Sequence, residues 1–509
     1  MTTPLSSLSM DEFMAGIEEV APKFDSANYP QENLPTDDWA LCVGGGVLLP
    51  TIPREYGGRD SHVEMCQVVE TLSEWHLPLG MFTTIITAVA LRPIALYATE
   101  EAKREVLPLF AGIDPMIAGF ASTEPGCGSA MSSMATTWER VDEGYRIRGR
   151  KHWQAFSLSA DWWLVSAKND DGGEREYGYF VVKRSEGFRT TERYEPLGLK
   201  VIDYGLNDID AVVPEHRRIP ATGRNLQPMV EMLMASRAMM AAMGCGFLRR
   251  VSREAHSYAD SRKIGRGPLS EIRFARYRLA AIDSSYTVCQ ALNHHLQTRL
   301  DMKADMLESF PAVQAIKTVA TSRMLSAAHH YQQLVGGEGY RCGSPTNISA
   351  QAFLDARVFT IFDGTNDLLS QQLTEYCLAR LDGRPLDAFL AEWPLTARAV
   401  RAHRPDLRFL RRDLRQEHLV LAGRAIAYLF AMAEVMRWAA ETGADPERAR
   451  TALSFLRHDI AGVAAEFALL DAGILGEGDD AAPAGAVISR SIPGQASRER
   501  APSALRPGP

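Results

Sequence analysis

Apolar residues recur at intervals of three and four over most of the chain, which is the periodicity of amphipathic helices. The pattern runs from residue 63 to 97 and is clearest over 311–335. In the second segment Pro311 stands where a first-turn proline is tolerated, and Gly336 and Gly337 end the helix. Helices of this length, joined by short turns, predict an antiparallel bundle.

Between residues 116 and 220 the pattern changes to short runs rich in threonine, tyrosine and valine, separated by charged turns. Glu143-Gly144 and residues 171–173 fall between such runs, where hairpin turns belong. We therefore predict a small antiparallel β domain. Its strands are expected at 116–122, 134–141, 145–153, 162–168, 177–182, 188–194 and 209–213.

The order of helices, strands and helices predicts an α+β chain that is mostly helical. The last segment is rich in Ala, Pro, Gly, Ser and Arg, a composition typical of disorder. We place an N-terminal helical domain, a β domain, a helical bundle, a helical extension and a disordered tail at residues 1–115, 116–222, 223–384, 385–472 and 473–509.

The charge balance argues against a general attraction to nucleic acid or anionic lipid, because the 509 residues carry a formal net charge of −8. The seven cysteines are scattered and form no CxxC pair, so neither a disulfide framework nor a metal site is expected. We find no basic and apolar leader at the N-terminus and no run of about 18 apolar residues. A cytoplasmic protein without a transmembrane segment is therefore expected.

The stretch with the clearest chemical signal is 358–367, which reads VFTIFDGTND. Its apolar run ends at Asp363, and Gly364 and Thr365 follow. A carboxylate at such a place is poorly hydrated, which raises its pKa and makes it a stronger base when ionised. The alternative is that Asp363 caps a helix that starts near Asn366.

Five motifs occur in order along the chain: FASTEPGCGS at 120–129, GRKHW at 149–153, RKIG at 262–265, QLVGGEGY at 333–340, and DAR to FDGT at 355–365. Together they resemble the acyl-CoA dehydrogenase family of flavoproteins over about residues 10–382. The resemblance implies a barrel-like β domain and a C-terminal bundle of four helices. It also implies FAD held between those two domains, with part of the cofactor reaching a neighbouring subunit of a homodimer or homotetramer.

The resemblance assigns a flavin wall to Trp153 and a pyrophosphate contact to Arg262, whose guanidinium can bond two oxygens at once. It also implies substrate contacts from Ser129, Arg237 and Gly364. The full set of expected cofactor contacts is Thr123, Ser129, Trp153, Arg262, Gln333, Gly336, Gly337, Thr365 and Asp367.

The chain departs from the family pattern in three places. Gln154 and Ala155 follow Trp153, whereas the family places a threonine two residues after the tryptophan. Ala130 replaces a frequent aspartate, and the segment that begins at Arg262 is one residue short.

The candidate base departs from the family as well. Asp363 aligns with the catalytic glutamate of most members, although aspartate is one methylene shorter. The alternative position for the base is Ser236, which cannot serve.

By resemblance, the expected function is FAD-dependent α,β-dehydrogenation of an acyl thioester carried by CoA or an acyl-carrier protein. Asp363 acts as general base, its amide and a ribityl hydroxyl bind the thioester carbonyl, and hydride passes to flavin N5. An electron-transfer flavoprotein is the expected acceptor of the electrons. One alternative is an oxidase that uses O2, similar to acyl-CoA oxidases or to nitroalkane oxidase, which also carries an aspartate. Another is a flavin- or thioester-binding protein with little turnover.

The extension past residue 385 contains an arginine-rich stretch at 401–415. A solvated helical face is the expected structure for this stretch, with a surface for an acidic partner or lipid as the alternative.

Overall fold

The computed structural model describes residues 4–28, 32–128, 130–169, 176–220 and 227–474. N-terminal helices, a central sheet and C-terminal helices follow one another along this part of the chain, which confirms the predicted mostly helical α+β fold. Ser129, the expected turn at 171–173 and the tail beyond residue 474 lie outside the described residues.

The N-terminal helices begin with a capping box. The side chain of Ser9 accepts a hydrogen bond from the Glu12 amide, and the Glu12 carboxylate accepts one from the Ser9 amide. Further along, helix α4 passes without a break through a π-helical stretch, Ile85–Leu91, into α5. The helices of this part are α1 (Met10–Val20), α2 (Thr36–Gly44), α3 (His62–Trp75), α4 (Leu77–Thr84), α5 (Arg92–Tyr97) and α6 (Glu100–Ala111).

The central sheet has the strand order β6-β7-β3-β2-β4-β5-β8, and β1 pairs with β4. The β2–β3 hairpin turns at residues 142 and 143, one residue before the predicted Glu143-Gly144. The strands are β1 (Ala118–Ala121), β2 (Thr137–Val141), β3 (Gly144–Ala155), β4 (Trp162–Asn169), β5 (Glu176–Lys183), β6 (Phe188–Tyr194), β7 (Tyr204–Val213) and β8 (Arg218–Ile219).

The sheet is not wholly antiparallel, which corrects the prediction. Strand β1 runs parallel to β4, with Ala118 opposite Trp162 and Ala121 opposite Val165. Parallel neighbours need a long crossover connection. The chain between β1 and β4 supplies it and includes the β2–β3 hairpin, so alternation within single strands could not reveal the direction of β1.

The C-terminal helices pack side by side around long, buried faces, and the helix predicted at 311–335 is confirmed as α10. They are α7 (Gln227–Met232), α8 (Met234–Ser261), α9 (Arg273–Arg299), α10 (Phe310–Val335), α11 (Ser349–Phe359) and α12 (Asn366–Leu378). A short hairpin of β9 (Lys263–Ile264) and β10 (Gly267–Pro268) joins α8 to α9.

The extension packs on the bundle. It comprises α13 (Leu386–Glu392), α14 (Ala397–His403), α15 (Gln416–Thr442) and α16 (Pro446–Asp471). Helix α15 crosses α12 closely, because a Cβ at Gly423 would lie 1.9 Å from the Ser370 carbonyl oxygen. The Thr374 hydroxyl also donates to the Leu419 carbonyl at 2.7 Å. The domain boundary at residue 385 stays a prediction.

The helical face expected for the arginine-rich stretch is wrong. Arg404 has a left-handed backbone (φ 44°) and ends α14. Most of the remaining stretch to residue 415 is irregular. Arg408 pairs locally with Asp406 at 2.6 Å, whereas Arg411 pairs with Asp387 of α13 at 2.6 Å and Arg412 with Asp471 of α16 at 2.5 Å. The spacing of charges could not reveal this break, since arginine itself is a good helix former.

Two helical stretches, Leu77–Tyr97 and Gln416–Thr442, are long and apolar enough to cross a membrane. Their most apolar windows are 89% and 78% buried inside the protein. Both are accounted for as core helices, which have the same composition.

Candidate active site

A cavity of about 640 Å³ lies where the N-terminal helices, the sheet and the C-terminal helices meet. Its walls are mostly apolar, with Met81, Ile85 and Val89 from α4 and the π-helical stretch. Both its size and its apolar lining are typical of small-molecule sites. The predicted site residues that line it are Thr123, Trp153, Arg237, Asp363, Gly364 and Thr365.

Asp363 lies in the turn between α11 and α12, and this turn has an uncommon backbone. Asp363 (φ 55°) and Gly364 (φ 91°) are consecutive left-handed residues. Helix α12 is capped by Thr365, whose hydroxyl accepts a hydrogen bond from the Leu368 amide at 3.2 Å. The helix cap is therefore Thr365, which leaves the Asp363 carboxylate free for other contacts.

Two side chains of α8 hold Asp363, one through its carboxylate and one through its backbone carbonyl. The Ser236 hydroxyl on α8 donates to its Oδ2 atom. Arg237 Nε donates to the Asp363 carbonyl oxygen at 2.8 Å. Burial raises the pKa of Asp363, and Ser236, Arg237 and Lys317 offset part of that rise by favouring the charged form.

Two buried cations flank this turn. Arg237 has a neutral second partner, Gln314, at 3.2 Å, and burial lowers its pKa to about 10. Lys317 Nζ donates to the Gly364 carbonyl at 2.8 Å and to Asn366 Oδ1 at 2.9 Å. Burial lowers the pKa of Lys317 to about 7.

Sequence reasoning missed Lys317 and the donor role of Ser236. A lysine beside Ile316 within the apolar stripe of α10 was a usable signal, because a charge on a buried face needs partners. Ser236 was considered only as a base, and no sequence feature shows that its hydroxyl reaches a residue 127 positions away.

Trp153 reaches the cavity through a β-bulge. The pairing of β3 with β7 shifts between His152 and Gln154, so Trp153 is the extra residue and has φ 59°. A bulge re-aims a side chain, and Trp153 is 52% exposed. The ring packs against Tyr194, with the ring centroids 4.8 Å apart.

The loop after β1 is held by a buried ion pair. Lys151 Nζ lies 2.8 Å from Glu124 Oε1, and both side chains are almost fully buried. The Glu124 carboxylate also accepts hydrogen bonds from the amides of Ala135 and Thr136. These contacts fix the loop that carries Thr123 to the cavity wall.

Gln154 and Ala155, which depart from the family pattern after Trp153, have different surroundings in the structure. Gln154 Nε2 donates to the Thr123 carbonyl at 2.9 Å, so this side chain supports the loop. Ala155 lines the cavity and has no hydroxyl to offer.

The other predicted cofactor residues that the structure describes lie away from the cavity wall. Arg262, Gln333, Gly336 and Gly337 are exposed. Tyr258 on α8 donates to the Val335 carbonyl at 3.0 Å, which brings the ends of α8 and α10 together. These residues therefore share one end of the bundle.

Asp367 is also exposed, and it pairs with Arg424 of the extension at 2.8 Å.

The cavity fits a flavin on two observations. The half-exposed indole of Trp153 offers a flat apolar wall for an aromatic ring. At Gly126 and Gly128 a Cβ would meet nothing within 4 Å, so the main chain there is open to a polar ring edge.

Three family models match the chain in order. They describe the N-terminal, middle and C-terminal domains of acyl-CoA dehydrogenases, and they cover residues 9–114, 119–211 and 226–377. The chain belongs to the acyl-CoA dehydrogenase family and is an FAD-dependent flavoprotein oxidoreductase.

Among its relatives is the mitochondrial isovaleryl-CoA dehydrogenase of Solanum tuberosum, 26% identical over 69% of this chain and 85% of that protein. The L-prolyl-[peptidyl-carrier protein] dehydrogenase of Pseudomonas fluorescens is 26% identical over 65% of this chain and 87% of that protein. The fold matches an FAD-complexed acyl-CoA dehydrogenase from Bacillus anthracis, with a TM-score of 0.74, 19% identity and 96% coverage of both chains. That coverage includes most of the extension.

Proposed function

We propose that the protein catalyses α,β-dehydrogenation of an acyl thioester with Asp363 as the general base. The observation that carries the proposal is a carboxylate of raised pKa on the wall of an apolar cavity that also exposes Trp153. FAD, when bound, supplies the acceptor for the hydride. The chain itself binds the acyl group, excludes water and removes the proton.

The surroundings of the Asp363 carboxylate favour its role as the proton acceptor. A carboxylate in a poorly hydrated place is a stronger base than one in water. The Ser236 hydroxyl fixes one oxygen of Asp363 and leaves the other to meet the α-hydrogen of the substrate.

Removal of the α-proton places enolate-like negative charge on the thioester carbonyl. This charge has two sources of stabilisation. Within the described residues, the Asp363 amide has no backbone acceptor. It can therefore donate to the thioester carbonyl. Arg237 and Lys317 add positive charge beside the turn, since their hydrogen-bond partners are neutral groups.

The acyl group is proposed to occupy the apolar part of the cavity. Val230 of α7 and Leu233, just before α8, line the cavity together with residues of α4 and the π-helical stretch. The carrier is CoA or an acyl-carrier protein, and the relation to a carrier-protein dehydrogenase supports testing both.

We further propose a homodimer or homotetramer in which Arg262, Gln333, Gly336 and Gly337 meet the cofactor of a second subunit. They are exposed at one end of the bundle, and the nearby Phe274 is 62% exposed. A cytoplasmic location and electron transfer to an electron-transfer flavoprotein complete the proposal.

The test is a screen of acyl-CoA and acyl-carrier-protein substrates for anaerobic bleaching of the flavin, with mass analysis of the products. Asp363→Asn should keep FAD but slow bleaching by about 10²–10⁴-fold. Asp382→Asn is a matched control, because Asp382 is exposed and also left-handed (φ 49°). Equal bleaching by wild type and Asp363→Asn would remove Asp363 as the base. Peroxide formed rapidly in air without another acceptor would favour the oxidase, which remains the second candidate because the base is an aspartate.

A further inference from the structure

We propose that Lys317 is a positioning residue of the reaction, which holds the turn at Asp363 and Gly364 so that the carboxylate faces the cavity. This inference rests on the dehydrogenase function proposed above. Lys317 does not line the cavity, so it acts through the turn.

Lys317 lies in the N-terminal half of α10 with a fully buried side chain. Its ammonium donates to the Gly364 carbonyl at 2.8 Å. The preceding carbonyl, that of Asp363, accepts from Arg237 Nε at 2.8 Å. Two successive peptide groups of the turn are therefore each held by a buried cation.

These two hydrogen bonds are needed because the backbone conformation of the turn is unfavourable. A left-handed aspartate is uncommon, and such residues persist where their surroundings over-determine them. Rotation of either held peptide would break a hydrogen bond to a buried cation and leave that cation with only its side-chain amide partner, Asn366 or Gln314. The same rotation would move the Asp363 side chain away from Ser236.

Anchoring α12 does not by itself require a charge. Asn366 Nδ2 donates to the Thr321 hydroxyl at 3.0 Å and to the Ser322 hydroxyl at 3.1 Å. These neutral groups already fasten the start of α12 to α10. A buried ammonium is costly, so its presence points to the contact with the turn.

The charged groups that act on Lys317 are Asp363 from the turn, which favours the ammonium, and Arg237 from α8, which opposes it. From α12 the facing group is the neutral Asn366. Because burial lowers the pKa of Lys317 to about 7, its charge changes near neutral pH. The charge in turn lowers the pKa of Asp363.

The experiment compares Lys317→Met and Lys317→Arg with Thr321→Val. The last variant removes a partner of Asn366 but leaves the contact between Lys317 and Gly364. Anaerobic flavin reduction by the best acyl thioester is followed against pH, together with FAD content and melting temperature.

Lys317→Met should retain FAD and reduce it on the order of tenfold to a hundredfold more slowly at neutral pH. In this variant Asp363 loses a neighbouring positive charge, so its pKa should rise. The acidic limb of the pH–rate profile, where Asp363 becomes protonated, should therefore move to higher pH. Lys317→Arg keeps the charge and should hold the limb near that of the wild type, as should Thr321→Val.

A second readout needs no turnover. Between pH 7 and about 10 the unfolded chain binds a proton that folded Lys317 has released, so wild-type stability gains from rising pH in this window. The melting temperature of Lys317→Met should lack this contribution.

A Lys317→Met variant with the wild-type limb would overturn the inference. So would loss of fold or FAD in both Lys317 variants, which would show that Lys317 only packs the core. A wild type that reacts with no thioester counts against the proposed function instead.

Discussion

Removing the Ser236 hydroxyl tests how the site tunes its base. Ser236 is fully buried and donates to Asp363 Oδ2. This bond stabilises the charged carboxylate and opposes the rise in pKa that burial causes. In Ser236→Ala the pKa of Asp363 should therefore rise further.

The expected size follows from the type of bond. A hydrogen bond to a charged group contributes about 1.5–3 kcal/mol, which corresponds to a pKa change of about one to two units. Below both pKa values the ionised fraction of Asp363, and with it the rate, should fall by about 10–100-fold. Above the new pKa the rate should recover, because the carboxylate is again charged.

The assay is the pH dependence of anaerobic flavin reduction by an acyl thioester. Ser284→Ala is the control, because Ser284 is a buried serine of α9 whose hydroxyl has no hydrogen-bond partner among the described residues. An acidic limb that coincides with that of the wild type would refute the reasoning. A rate loss that is uniform across pH would refute it too, since misplacement of Asp363 would then explain the loss.

Three further changes test the supports of the site. Gly364→Ala should destabilise the fold by about 1–3 kcal/mol in urea unfolding, because φ is 91° and the new Cβ would lie 2.9 Å from a leucine side chain; an unchanged midpoint would contradict this. Lys151→Met leaves Glu124 buried without its cation and should cost about 3–5 kcal/mol. Arg140→Met breaks an exposed pair and should cost about 1 kcal/mol or less; similar losses for the two variants would show that burial of the first pair does not matter. Trp153→Ala should release FAD more readily on dialysis with little change in unfolding; full retention of flavin would show that the indole is not part of its wall.

Much of the candidate site could be predicted because its residues are close in sequence. Asp363, Gly364 and Thr365 form one turn, and Thr123 and Trp153 come from two short motifs, so each could be recognised locally. All five line the cavity. The positions of Arg262 and Gln333 at an exposed end of the bundle are compatible with the predicted contact across subunits, which stays a prediction.

The contacts of these residues could not be predicted in the same way. Ser236 and Lys317 lie far from Asp363 in sequence and meet it only when α8 and α10 pack against the turn. The choice of Thr365 as the helix cap depends on the left-handed conformation of Asp363 and Gly364. Such a backbone is stabilised by its surroundings and not by the residues themselves.

Periodicity along the chain therefore determined the helices, most strands and their order, because the burial of one face imposes a spacing of three to four residues or of two. It also placed one carboxylate at the end of an apolar run. The tertiary structure alone decided that β1 runs parallel to β4, that a bulge turns Trp153 outward, and that a hydroxyl and two buried cations surround Asp363. Those features depend on which distant segments pack together, and the free energy of such contacts has no counterpart in the spacing of residues along one element.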